Sequence, residues 1–255
     1  MLMAPLVHAL GAVKEREVDY EANGVRLHGL LARDDSFDGR RPAVLVVHEW
    51  WGHDEHARNS ARALARAGYV ALALDMYGDG QQAHHPKRAA ELLTQLRTNI
   101  PLMQARFVAA KQLLASDADA DANAMAAIGY CFGGSVVLEM ARRGIELQAV
   151  VSFHGALDTI APARPGAIKP EILVLTGDAD PFVPKSQVDA FDREMREARA
   201  RYRIVMYPGA KHSFTNPAAT EYGRRFDLPD EYHAEAAAKS WQEMLELFTR
   251  VFRAP

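Results

Sequence analysis

The sequence predicts an α/β fold: one domain on a mostly parallel central sheet, helices on both faces, and an antiparallel hairpin at its start. Three observations carry this. Short, wholly apolar runs such as AVLVV at 43–47 recur along the chain, as strands covered on both faces require. Segments of helical period lie between them, and buried strands alternating with helices make a parallel sheet. At 14–33, two alternating runs flank Asn23-Gly24, a strong hairpin turn. The 255 residues suit one such domain, expected over 14–255 behind an N-terminal tail at 1–13.

The elements come in order. After the hairpin come a strand at 43–47, a helix at 56–67 and a strand at 69–76. Residues 86–114 read as helical stretches interrupted at Pro101. A strand at 124–129 turns directly into a helix at 133–143. Strands at 148–155, 171–177 and 202–209 come next, with a helix at 185–199 between the last two. The final helix has the cleanest period, with Trp241, Met244, Leu245, Phe248, Val251 and Phe252 on one buried face. Residues 216–233 show no period but are rich in charge and aromatics, as a lid or surface loop would be.

Composition narrows the function classes. Hydrophobic residues are 49% and charged residues 25%, the balance of a globular protein with a sizeable core. The net charge of -3 comes without a basic stripe, which argues against nucleic-acid binding. No apolar run is long enough for a membrane helix. The first sixteen residues lack the basic start of a signal peptide, so a cytoplasmic protein is expected, as a monomer or small homo-oligomer. One cysteine, Cys131, excludes an intrachain disulfide and a cysteine-based zinc cluster.

VVHEWWGHDEH, at 46–56, resembles a zinc-binding H-E-x-x-H helix. The spacing fails: after His48-Glu49, the next histidine, His53, comes one residue late, behind the helix-breaking Gly52. His53 and His56 are expected as solvated residues opening the next helix, and no metal is expected.

The informative stretch is IGYCFGGSVVLEMA, at 128–141. Gly129, Cys131 and Gly133 form G-x-C-x-G between a strand and a helix, a nucleophile elbow with cysteine in place of serine. Such a turn needs small neighbours because strand and helix backbones pass close. The helix N-terminus beneath the thiol favours its anion. Taken alone, Cys131 also fits a small core residue in a tight turn. Two downstream loops change the balance. Asp178 and Asp180 sit just after the strand at 171–177, and His212 just after the strand at 202–209. Nucleophile, acid and histidine thus come in the order this architecture uses, each on a loop at a strand's C-terminal end.

With these motifs in place, the chain resembles the dienelactone hydrolase family of α/β-hydrolases. The carrying segments are HEWWG (48–52), DMYG (75–78), GYCFGG (129–134), GDADPFVP (177–184) and GAKHSF (209–214), and the likeness spans about 18–252. The resemblance implies a Cys131–His212–Asp180 triad, with Asp180 rather than Asp178 as the acid. It implies an oxyanion hole from the backbone N–H groups of Phe132 and Trp50, and a Glu49 that lies near the thiol and governs its ionisation. Trp51, Tyr77, His154, Phe214 and Asn216 are candidate substrate-pocket residues.

The implied reaction is acyl transfer to water on a small-molecule ester or lactone, without a cofactor. One departure bears on substrate. Family members that act on dienelactone hold its carboxylate with arginines. The position four beyond the histidine is Asn216 here, and Asp75-Met-Tyr77 is succeeded by Gly78-Asp79-Gly80. Neither arginine is present, which points away from dienelactone to a neutral ester or lactone; Arg224 or Arg225 remain candidates to reach in from 216–233. The alternatives are a thioesterase or other acyl hydrolase on the same site, a non-catalytic small-ligand-binding homologue, and a redox-sensing thiol.

Overall fold

The computed structural model describes residues 12–252; residues 1–11 of the expected tail lie outside them. Strands β1 (Val13–Ala22) and β2 (Val25–Asp34) form the hairpin, with Asn23 and Gly24 both at positive φ in its turn. The remaining strands are β3 (Arg41–Val47), β4 (Val70–Leu74), β5 (Ala120–Tyr130), β6 (Ala149–Phe153), β7 (Glu171–Gly177) and β8 (Tyr202–Tyr207). They form one sheet ordered β1-β2-β4-β3-β5-β6-β7-β8. The hairpin joins antiparallel at one edge, and every pairing from β4 to β8 is parallel.

Alternation within the strands assigns the two faces. Ala43, Leu45 and Val47 of β3 point into one core, and Val44 and Val46 into the other. The first core is roofed by α2 (Pro86–Arg97), α3 (Ile100–Ala115), α4 (Phe132–Arg142) and α5 (Lys185–Glu197). The second is closed by α1 (Glu55–Arg66) and α7 (Ala234–Val251), through Ala61, Leu64, Met244 and Phe248.

Two boundaries differ from expectation for clear reasons. Pro101 starts α3 rather than interrupting it: the break is at Thr98-Asn99, and the Asn99 side chain caps Leu102 N at 3.1 Å. A proline in the first turn lacks only an N–H the helix does not use. Residues 216–233 contain a further helix, α6 (Ala219–Phe226), whose Tyr222 and Phe226 pack on Trp51 at 4.8 and 5.9 Å. An eight-residue helix is too short to stand by propensity, so this packing holds it.

Candidate active site

The site is at the C-terminal ends of β3, β5, β7 and β8. Cys131 joins β5 to α4 at φ 50 and ψ -114, a strained conformation for a residue with a Cβ. Two glycines permit the turn. A Cβ on Gly129 would lie 2.1 Å from Gly133 O, and one on Gly133 would lie 2.3 Å from Val47 O. Here the spacing of G-x-C-x-G is a packing requirement. Phe132 N–H is the first amide of α4, one of those a helix leaves without an internal acceptor.

The loop after β8 delivers His212, whose Nδ1 donates to Asp180 Oδ2 at 2.8 Å. Asp180 lies in the loop after β7, is 4% exposed, and accepts a second bond from Phe182 N at 2.8 Å. Asp178 faces outward and accepts from Gly209 N instead. Burial alone would push the His212 imidazole down. The charge of Cys131, hydrogen bonds to Asp180 and Cys131, and the charge of Asp180 outweigh it and hold the group well above its ordinary value. The arrangement favours an imidazolium wedged between sulfur and carboxylate.

Cys131, Phe132, Trp50 and His212 share a cavity of about 370 Å³, walled by Leu93, Met103, Phe182 and Leu228. Arg97, in the lining, is already paired with Asp158, also in the lining, at 2.5 Å; His212 and Asp230 are further ionisable side chains of the described wall. Leu93, Met103 and Leu228 come from α2, α3 and the 216–233 segment, where no motif marked them, whereas Phe182 lies in the GDADPFVP segment.

The other expected pocket residues lie elsewhere. Trp51 is 3% exposed under α6 and turns away from the thiol cavity. Tyr77 is buried; its ring stacks on Phe132 at 5.6 Å and its hydroxyl donates to Trp50 O at 3.0 Å, so it braces the wall from behind. Phe214 is fully buried against His154 and Tyr207. His154 is fully buried behind the elbow. Asn216 is also buried, and its Nδ2 donates to Glu49 Oε2 at 2.6 Å.

Glu49 is 1% exposed. Among the described residues its partners are Asn216 and Ser213, while Oε1 has none. Burial, with Asp54 and Asp230 nearby, pushes its carboxyl up to about 8 despite those two hydrogen bonds.

His53, expected in solvent, is packed inside, and His56, also expected there, is half-buried in the first turn of α1. His53 is 3% exposed, and burial pulls it down to about 4. His56 packs edge-on to Tyr130 at 4.5 Å and is likewise pulled down to about 4. The tight bend at Gly52 tucks this stretch under residues 81–82, which sequence spacing does not reveal. His48 is a core residue, donating to Glu49 O from Nδ1 and accepting Met76 N on Nε2. The DMYG motif is a backbone nest: Asp75 accepts from the amides of Tyr77, Gly78 and Gly80. Arg106, which sequence patterning did not single out, is buried beside it and donates to Met76 O at 2.6 Å. Arg225 lies over the Phe226 ring, and neither it nor Arg224 lines the cavity. No group of three or more His, Cys, Asp or Glu among the described residues is arranged to hold a metal ion. No described helix is long and apolar enough to cross a membrane.

Comparison with known proteins agrees with this geometry. The model of the dienelactone hydrolase family matches residues 27–252. A Salmonella typhimurium protein, provisionally named a carboxymethylenebutenolidase, is 31% identical over 94% of this chain and 88% of its own. The solved structure called m3DLH is 38% identical, covers 95% of this chain and 100% of its own, and superposes with a TM-score of 0.89. A dienelactone hydrolase-like promiscuous phosphotriesterase from metagenomic libraries is 34% identical over 94% of this chain and 99% of its own, with a TM-score of 0.88.

Proposed function

The chain belongs to the dienelactone hydrolase family, and from that premise we propose that it hydrolyses a small neutral carboxylic ester or lactone, with Cys131 as nucleophile, His212 as acid–base and Asp180 as its orienting partner. The observation that carries the proposal is the His212–Asp180 bond of 2.8 Å on one side of an imidazole whose other side meets Cys131.

The proposed steps run as an acylation followed by a deacylation. Cys131 sulfur, as thiolate beside the His212 imidazolium, attacks the acyl carbon. The carbonyl electron pair moves onto oxygen, and the N–H groups of Phe132 and Trp50 receive the oxyanion; two fixed amides are worth orders of magnitude in rate. Collapse expels the alcohol oxygen, which takes the His212 proton. The neutral imidazole then removes a proton from water, and the hydroxide attacks the thioester. The second collapse releases the acid and restores the thiolate–imidazolium pair. Asp180 keeps Nδ1 protonated, so that Nε2 does the work.

The wall sets substrate charge. Arg97 is spent on Asp158, His212 is already held between Cys131 and Asp180, and Asp230 adds an acid to a largely apolar wall, so a free carboxylate meets no unpaired counter-charge. Glu49, whose carboxyl is pushed up to about 8 and is bonded to Asn216, stays uncharged well below that pH. A phosphotriester is also neutral and also develops an oxyanion on attack, and one solved relative is called a phosphotriesterase. Paraoxon therefore belongs in the substrate panel.

The test is hydrolysis of p-nitrophenyl acetate by wild type, by Cys131→Ala and by iodoacetamide-treated wild type. The expected result is loss of about 10⁴-fold or more in kcat in both modified proteins. Equal activity in all three overturns the assignment of Cys131.

A further inference from the structure

Cys131 N–H donates to Phe153 O at 3.0 Å, and a second acceptor, His154 Nδ1, lies 3.1 Å from the same nitrogen. A ring nitrogen facing an N–H must offer its lone pair, so the proton of neutral His154 is on Nε2. That atom is 2.7 Å from Thr215 Oγ1, which accepts it. The Thr215 hydroxyl then points its own proton at His56 Nε2, 3.4 Å away. The bonds run in one direction, from the nucleophile's amide through His154 and Thr215 to the first turn of α1.

The surroundings keep His154 neutral. It is fully buried among Tyr130, Phe214 and the elbow. Its ring meets the His212 ring edge-on at 5.4 Å, so a charge on it would oppose the imidazolium there. Burial first, then the charges of His212 and His56, push it well below the ordinary histidine value. His154 is itself at φ 42, with its N–H anchored on Leu175 O at 2.8 Å, so a second strained residue backs the first. It contacts the nucleophile's backbone and the catalytic ring together, yet does not line the substrate cavity.

We propose that His154 is a positioning residue: a neutral imidazole, tethered by Thr215, that holds the strained Cys131 elbow at a fixed angle to the His212 ring. This rests on Cys131 and His212 being the reacting pair. The elbow must be held because its conformation, at φ 50, is strained and local bonds have to offset that strain.

The experiment compares wild type, His154→Phe, His154→Asn and Thr215→Val. Each is assayed for kcat and KM on p-nitrophenyl acetate and, without substrate, for the rate of iodoacetamide alkylation of Cys131 at pH 7. His154→Phe keeps a ring but loses the acceptor; kcat is expected to fall about tenfold to a hundredfold, with KM changed less than about twofold. Its alkylation slows in parallel. His154→Asn returns an acceptor oxygen near the Nδ1 position and recovers most of both rates. Thr215→Val, which keeps the imidazole and frees its far side, shows a smaller loss in the same direction and carries the test if His154→Phe does not fold. Unchanged kcat and alkylation in the folded variants overturn the proposal, as does equal damage from Phe and Asn. A wild type that hydrolyses no ester, with alkylation still responding to His154, overturns the hydrolase assignment and leaves the positioning role standing.

Discussion

Two buried carboxylic acids lie on the loops after β3 and β7, and they keep different company. Asp180, after β7, meets an imidazole at 2.8 Å and a backbone amide at 2.8 Å. Glu49, after β3, meets a neutral amide at 2.6 Å, Ser213, and on Oε1 nothing among the described residues. Both are nearly inaccessible to water. What differs is the counter-charge. A buried carboxylate is tolerated when a cation shares its burial; without one the group takes up a proton instead. The two acids thus differ by partner: Asp180 faces an imidazole, and Glu49 faces an uncharged amide.

The comparison breaks most visibly at the anchor. Asp180→Asn keeps the shape but turns an acceptor into a donor toward His212 Nδ1, favouring the wrong tautomer. A fall in kcat of about 10³–10⁴-fold is expected, with KM little changed. Steady-state kinetics check it, and a loss below tenfold would put the work of Asp180 elsewhere.

Glu49→Gln sharpens the other side. The Glu49 carboxyl is at about 8 in the folded chain against 4.5 for a free one. Below pH 4.5 both states are protonated. Between there and about 8, the unfolded chain releases its proton and the folded chain retains it, so stability falls as pH rises; above 8 the loss levels off. The total is on the order of 2–4 kcal/mol after allowance for relaxation. Gln carries no such cost, so the variant's melting temperature should overtake wild type as pH rises, by roughly 5–10 °C above pH 8. Melting curves at pH 5, 6.5, 8 and 9 read this directly. A gap that does not widen with pH would mean Glu49 ionises freely in the fold.

The legible parts of this molecule were those with short-range signatures. Asn23-Gly24 marked its hairpin because both turn residues take positive φ. The elbow was readable because a Cβ on Gly129 or Gly133 would come within 2.3 Å of backbone, which leaves no latitude in sequence. The loops carrying Asp180 and His212 stood at strand ends that the apolar runs delimited. The cavity walls were not readable: Leu93, Met103 and Leu228 look like any apolar residue until three separate segments converge. The burial of His53 was hidden for the same reason, since the fold of 81–82 over Gly52 is a tertiary event. His154, read as a pocket candidate, reaches the nucleophile through its backbone amide, a contact that no side-chain pattern advertises.

The smallest expected effect comes from the residue that walls in Glu49. Asn216 stands four positions beyond His212, where the family's dienelactone-active members carry a carboxylate-binding arginine. Here its Nδ2 donates to Glu49 Oε2 and its Oδ1 accepts Ala218 N at 2.9 Å, so both ends of the amide are committed within the fold. Asn216→Ala leaves a buried carboxyl with one bond fewer, at a cost of about 1–3 kcal/mol, and should lower the melting temperature by a few degrees at pH 6. The Asn216 bond pulls the Glu49 carboxyl down, so its loss should move the pH midpoint of the stability decline to more alkaline values. A shift toward acid would mean that water enters and solvates Glu49 once the amide is gone. Asn216 would then act by excluding solvent, and the neutrality of this wall would depend on packing rather than on the hydrogen bond.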